Sequence, residues 1–219
     1  MHIGAVGRLV GELVVPPVCW SCSGLSRRGD PLCASCRTTL HRLERETVTL
    51  CGVPVWAPLA YSGPARDLVR ALKFRGAIAV ADTMAAQIVA NGPPGLLDAP
   101  LVPVPLHPRR QRGRGYNQAA AIAAAVGRRT GLPVLRCLTR SGPSITQVGR
   151  DRAERTAGPA GRIEIGASAE APAPAALDKV LLVDDVVTTG ATLGACRDAL
   201  VAHGAREVAA VCFARTIGR

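Results

Sequence analysis

The chain has 219 residues, 48% hydrophobic but only 3% aromatic, with a formal net charge of +11. That length suits one α/β domain of ordinary size plus a small appendage, with an aliphatic core of the kind a parallel sheet covered by helices requires. No apolar run approaches the ~20 residues that span a bilayer, and Arg8 and Glu12 interrupt the opening segment, which argues against membrane insertion and a secretory leader and predicts a cytoplasmic protein.

In chain order, Val6, Leu9, Val10 and Leu13 fall at helical spacing, so residues 1–16 read as a short amphipathic helix ending before Pro16-Pro17. Cys19-x2-Cys22 and Cys33-x2-Cys36 follow. Each pair offers two thiolates to one ion, and two pairs complete a tetrahedron, so the expected ligand is a structural zinc with no open position. Gly24 and Gly29 are expected to permit the chain reversal between the pairs. Cys51 has no partner at knuckle spacing, while Cys137, Cys196 and Cys212 lie in apolar contexts and read as small core residues. The division this implies is 1–52, an N-terminal helix and zinc-binding module, followed by 53–219.

Residues 53–63, with Pro54 and Pro58, read as an extended connection. Pro64–Phe74 reads as a helix with Leu68, Val69 and Leu72 on one face, and Ala77–Ala90 as a second helix. Strands are expected at Leu101–Pro105, Leu132–Leu138, Arg162–Ile165, Val180–Asp184 and Val208–Phe213, with helices at Tyr116–Arg129 and Thr192–His203. This alternation implies βαβ units and a parallel sheet. Residues 139–160 are polar, with Arg150, Asp151, Arg152, Glu154 and Arg155 crowded together, and Gly166–Leu177 reads as a surface loop. Between Leu101 and Arg155 stand eleven Arg and no Lys against one Asp and one Glu, a local excess of +9 that points to a phosphorylated small molecule or to nucleic acid.

The densest chemistry lies in Lys179-Val-Leu-Leu-Val-Asp-Asp-Val-Val-Thr-Thr-Gly-Ala-Thr-Leu193. An apolar strand runs into Asp184 and Asp185, and ligands of open α/β sheets bind beyond such carboxyl ends. Two adjacent acids can accept hydrogen bonds from vicinal hydroxyls. Thr188, Thr189, Gly190, Ala191 and Thr192 then open a helix whose N–H groups and hydroxyls can close around a phosphate. One loop would thus grip a ribose at its hydroxyls and at its 5′-phosphate, with Gly190 letting the backbone approach the anion.

This segment resembles the phosphoribosyl diphosphate (PRPP) signature of type I phosphoribosyltransferases. From about residue 13 to 214 the chain resembles the competence protein ComF family. The resemblance is carried by the cysteine pairs, Tyr61-Ser-Gly-Pro-Ala-Arg-Asp-Leu-Val-Arg-Ala-Leu-Lys-Phe-Arg-Gly76, Val102-Pro-Val-Pro-Leu-His107, Arg114-Gly-Tyr-Asn-Gln118 and the PRPP loop, in that order. It implies an α/β, parallel-sheet, type I phosphoribosyltransferase-like domain preceded by a small four-cysteine zinc module. It also implies PRPP binding through Asp184, Asp185 and Val187–Thr192, with Mg²⁺ accompanying the ligand. Arg109, Arg110, Arg112 and Arg114 would stand beside the pyrophosphate, Lys73 and Arg75 would reach it, Tyr116–Gln118 would open the next helix, and residues 144–157 would form a hood. The implied reaction is transfer of a phosphoribosyl group, at Asp184 and Asp185, to an acceptor for which no pocket is legible, with release of pyrophosphate. The alternative is a nucleic-acid-handling accessory of the competence machinery, gripping single-stranded DNA through the basic segment and the zinc module with a regulatory or vestigial PRPP site. Tyr61, Phe74 and Tyr116 are few for a stacking platform, which speaks against that alternative.

Overall fold

The computed structural model describes residues 17–141, 162–166 and 177–218. The expected helix over 1–16, the hood at 144–157, the acidic and basic cluster at 150–155 and most of the Gly166–Leu177 loop lie outside the described residues.

The described chain is a mixed α/β structure built on a mostly parallel sheet. Its elements are α1 (Ala34–Thr38), β1 (Val48–Leu50), β2 (Val53–Trp56), β3 (Leu59–Ala60), α2 (Gly63–Phe74), α3 (Val80–Asn91), β4 (Leu101–Pro103), α4 (Pro108–Arg114), α5 (Gln118–Thr130), β5 (Leu138–Arg140), β6 (Ile163–Ile165), β7 (Lys179–Val187), α6 (Ala191–Val201) and β8 (Glu207–Arg215). The main sheet runs β1-β2-β8-β7-β4, with β3 also pairing β8, and every pairing is parallel except β1 with β2. β5 and β6 form a separate antiparallel ribbon.

Central β7 is buried on both faces and its side chains alternate between two cores, as a pleated strand demands. Leu181 and Val183 join Leu68, Leu72, Met84, Ile88 and Ile122 under α2, α3 and α5, while Val180 and Leu182 join Leu193, Cys196 and Leu200 under α6. Cys19 and Leu32 belong to the first core, so the cysteine segment packs on the same layer as α2 and α3. Cys137, Cys196 and Cys212 are buried, as expected of small core residues.

Two expectations are corrected and one unpredicted helix is found. Residues 53–60 are not a connection: Val55 and Trp56 pair with Ala210 and Val211, and Leu59 with Ala214. The prolines mislead because Pro54 is exposed and Pro58 falls in the break between two strands. Leu132–Leu138 is not a strand, since only Val134 bridges Leu101, Pro133 having no N–H with which to extend the ladder. Pro108–Arg114, for which no element is expected, is a helix. Pro sits in its first turn, His107 Nδ1 accepts from Arg109 N at 3.2 Å, and Gly115 closes it in the left-handed conformation.

Candidate functional site

The four sulfurs of Cys19, Cys22, Cys33 and Cys36 lie within 4.8 Å of one another. Cys22 Sγ and Cys33 Sγ stand 3.7 Å apart, close to the edge of about 3.8 Å for a tetrahedron with zinc–sulfur arms of about 2.3 Å. Ser23, directly after the turn between Cys19 and Cys22, takes positive φ, and Cys33 and Cys36 straddle the start of α1. The reversal therefore uses Ser23 and Gly29 rather than Gly24, which approaches Cys22 Sγ instead. Against the cost of burial, backbone N–H groups of Cys22, Cys33 and Ser21 hold the Cys19 thiol down at about 6, whereas burial and then the neighbouring cysteine side chains push Cys36 up to about 12. A crowd of sulfurs without a cation can carry little charge, and a divalent ion removes that conflict. The donor set fits a zinc ion.

The cysteine segment is tied to α2 by Ser21 Oγ donating to Asp67 Oδ2 at 2.7 Å and by Arg75 lying 5.8 Å over the Trp20 ring. In the last turn of α2, Lys73 Nζ reaches Asp185 Oδ1 at 2.7 Å. The strand does not stop at Asp184 as expected. It continues to Val187, with Asp184 opposite Cys212 and Val186 opposite Ala214. Asp185 is therefore only 4% exposed, and Asp184, half-buried, accepts from the Asp185 N–H at 2.8 Å. Burial, followed by the charge of Asp185, pushes the Asp184 carboxyl up to about 7 against the pull of Lys73 and Arg140. Burial also raises Asp185, opposed by Lys73 and Arg114.

Val187 is buried at the end of β7, Thr188 and Thr189 are exposed, and Gly190 caps α6 at φ +81° with Ala191 and Thr192 in the first turn. Thr189 Oγ1 accepts from Ala191 N at 3.4 Å. The two-residue hairpin between β1 and β2 packs against this loop. Cys51 and Gly52 both have positive φ, at 47° and 74°, as a type I′ turn requires. Cys51 Sγ donates to Thr189 O at 3.4 Å and Cys51 O accepts from Arg197 at 2.8 Å. A Cβ on Gly190 would stand 2.5 Å from Leu50 Cβ. Gly190 thus serves both its backbone angle and the approach of this hairpin, and its bare side faces protein rather than an anion.

Of the four arginines expected beside a pyrophosphate, only Arg114 comes near the acids: its charge bears on Asp185, it donates to Gln118 Oε1 at 3.0 Å, and its guanidinium lies 5.1 Å over the Phe74 ring. Arg109, Arg110 and Arg112 lie exposed on α4. Tyr116 donates to Leu72 O, and Asn117 caps α5 through Ala119 N and Ala120 N. Arg140, at the end of β5, is a site residue that sequence reasoning misses. Its charge bears on Asp184, and its Nε is buried with no hydrogen-bond partner among the described residues. It also lines a cavity of about 260 Å³ together with Pro103, Pro105, Gln111, Asn117 and Arg136. The signal is faint, because the polar stretch that follows β5 reads as loop. β4 and β7 are parallel neighbours, with Pro103 opposite Val183, so the loops leaving their carboxyl ends emerge side by side.

The site and fold define a mixed α/β protein with a mostly parallel sheet and a four-cysteine cluster that could bind zinc. No family model matches the chain. Among curated proteins it is 27% identical to the DNA utilization protein YhgH of Escherichia coli over 240 residues, covering 94% of this chain and all of the relative. It is 25% identical to the competence protein ComFC of Bacillus subtilis over 80% of each chain. It is 28% identical to competence protein F of Haemophilus influenzae over 85% of this chain and 86% of that one. The chain is related to the ComF family.

The raised Asp184 carboxyl has a consequence for stability. A carboxyl with a higher pKa folded than unfolded binds more protons in the native state, so stability falls as pH rises from the ordinary carboxylate range through about 7. Asp184→Asn removes that penalty. Denaturant unfolding should show the variant more stable than wild type at pH 8, with the gain shrinking towards pH 5. An equal gain at both pH values would mean that Asp184 does not titrate in this way.

Proposed function

We propose that the protein handles DNA during uptake or use, gripping a single strand through its arginine-rich surface, and that the cleft at Asp184–Thr192 takes PRPP or a related phosphorylated ribose. The DNA role rests on relatives named for DNA utilization and competence that match over most of this chain. The excess of +9 between Leu101 and Arg155 supplies the electrostatics, since arginine neutralises strand phosphates and releases their counterions. If the α4 arginines touch phosphates, Arg110→Ala with Arg112→Ala should lower the affinity for a single-stranded oligonucleotide. The double variant should also flatten the log–log salt slope by up to about 1.4, about 0.7 for each phosphate no longer neutralised. An unchanged slope in a salt titration would assign those residues to solvation.

The phosphorylated-ribose site is carried by one observation: a buried strand bears two adjacent carboxylates two residues before a Thr-Thr-Gly turn that opens α6. Free N–H groups at a helix start attract phosphate, and the acids suit vicinal hydroxyls. Lys73, already paired with Asp185, is placed to follow a diphosphate, and Arg140, whose charge bears on Asp184, has a buried donor with no partner among the described residues. Because Asp185 is engaged by Lys73, Mg²⁺ would enter with the diphosphate rather than be held by the acid pair. Phosphoribosyl transfer is the chemistry such a site supports. Positive charge growing on the sugar would be met by Asp184 and Asp185, negative charge on the departing pyrophosphate by Lys73, Arg114 and Arg140, and the cavity beside Arg140 offers room for an acceptor. Calorimetry with Mg²⁺ in the buffer tests the binding. Asp184→Ala with Asp185→Ala should weaken PRPP by about 2–3 kcal/mol, or ~30- to 150-fold, as two acceptors are removed. Inorganic phosphate should not weaken, because Lys73 is then unpaired. Wild type that binds neither PRPP nor ribose 5-phosphate at millimolar concentration would remove the site from the reading.

The cysteine cluster is read as a structural zinc site at Cys19, Cys22, Cys33 and Cys36. Metal analysis should return about one zinc per chain, and Cys33→Ser should lower zinc content and loosen the packing of this segment on α2. Freshly purified, unchelated protein without zinc would refute the assignment.

A further inference from the structure

The DNA-handling reading leaves open how bases are met, and the exposed face of α2 answers that. Arg66, Arg70 and Phe74 fall at i, i+4 and i+8, one row of a helix, and all three are exposed. The opposite face, with Leu68, Val69, Ala71 and Leu72, is buried in the core. Phe74 stands 70% exposed, although the chain has only six aromatic residues. The other five are engaged: Trp56 and Phe213 are buried, Tyr116 is bound to Leu72 O, and Trp20 and Tyr61 are half-buried against the first core. A solvent-facing phenyl ring at the end of an otherwise amphipathic helix contributes nothing to that core.

Its surroundings are cationic. The Arg114 guanidinium lies 5.1 Å over the Phe74 ring, and the adjacent Arg75 lies 5.8 Å over Trp20. Trp20, Arg75, Phe74 and Arg114 thus form a ribbon of alternating aromatic and guanidinium groups. It runs from the cysteine segment towards the Asp184–Asp185 pair, where Lys73, which precedes Phe74 in sequence, pairs with Asp185. Along α2 and its cap, Arg66, Arg70, Lys73 and Arg75 share the segment with a single acid, Asp67, which accepts from Ser21 and pairs with Arg66 at 3.9 Å, while Lys73 pairs with Asp185. A protein partner would want a broad apolar patch, whereas here one ring is surrounded by guanidinium groups, a pattern that suits an unpaired base with its phosphates.

We propose that Phe74, backed by Arg114, is a stacking seat for an unpaired base of a single DNA strand, with Arg66, Arg70 and Arg75 holding the neighbouring phosphates. The inference rests on the DNA-handling reading and locates the path of the strand beside the cleft rather than on α4 alone. An unpaired base has a free π-face to offer and a base stacked within a duplex does not, so the seat selects single strands without reading sequence.

The test is fluorescence anisotropy with a labelled 20-nucleotide single strand and a strand of equal length made of abasic sites. Phe74→Ala should weaken the base-bearing strand by about 5- to 150-fold, the range for losing one stacked base. Phe74→Leu should weaken it similarly, while Phe74→Trp should keep or tighten it. On the abasic strand wild type and Phe74→Ala should bind alike. Equal binding of the base-bearing strand by wild type and both weakening variants would overturn the seat while leaving the DNA-handling reading intact, and so would an equal loss on the abasic strand. Displacement of the strand by millimolar free adenine, reversed by Phe74→Ala, would reassign the ring to a free base and also overturn the proposal. No binding of either strand by wild type at low salt would instead remove the DNA-handling reading itself.

Discussion

The ion pair between Lys73 and Asp185 joins the two halves of the described structure. A carboxylate that is 4% exposed can stay charged only if a cation is delivered to it, and here the cation arrives on α2 while the acid arrives on β7, at 2.7 Å. α2 in turn is held to the cysteine segment by Ser21 and Arg75, so the placement of Lys73 depends on packing that begins more than fifty residues earlier. Removing one partner of such a pair leaves an uncompensated buried charge and costs about 3–5 kcal/mol. The cysteine cluster, the helix and the acids therefore act as one mechanical chain.

A second constraint meets the first at Gly190. The β1–β2 hairpin lies against the Thr188–Gly190 turn, with Leu50 where a side chain at position 190 would go and with the Cys51 thiol and carbonyl engaged by Thr189 and Arg197. Cys51, unpartnered as a metal ligand in the sequence, is explained here: a short side chain at a positive φ that reaches one carbonyl. The turn that could cradle a phosphate is braced from behind by a strand of the N-terminal segment.

Much of this is legible in the sequence, for reasons that differ by element. The cysteine spacing, the apolar run Val180–Val183 and the helical period of Leu68, Val69 and Leu72 are local signals, and the structure bears out the cluster, the strand and the helix. What escapes is set by pairing across the chain. Val53–Ala60 looks like a connection because its prolines are local facts, while its partners on β8 lie some 150 residues away. Arg140 is invisible for the same reason, since only the fold brings β5 to Asp184. Nothing local distinguishes the arginines of α4 from one another, yet a seven-residue helix turns three of them outward and leaves Arg114 facing inward. Phe74 is one of few aromatics, and it is placement rather than number that distinguishes it.

The short strand β1 carries one more implication. It covers the outer edge of β2, pairing Val48, Thr49 and Leu50 with Val55, Pro54 and Val53. A chain trimmed to begin at residue 53 would keep every parallel strand and yet bare the backbone of β2 along with Leu50's seat on Gly190. Sheets left with an uncovered hydrophobic margin join one another edge to edge. Such a fragment would be expected to self-associate besides losing the packing of Cys19 and Leu32 on the first core, which makes the antiparallel strand a guard on solubility as much as a part of the fold.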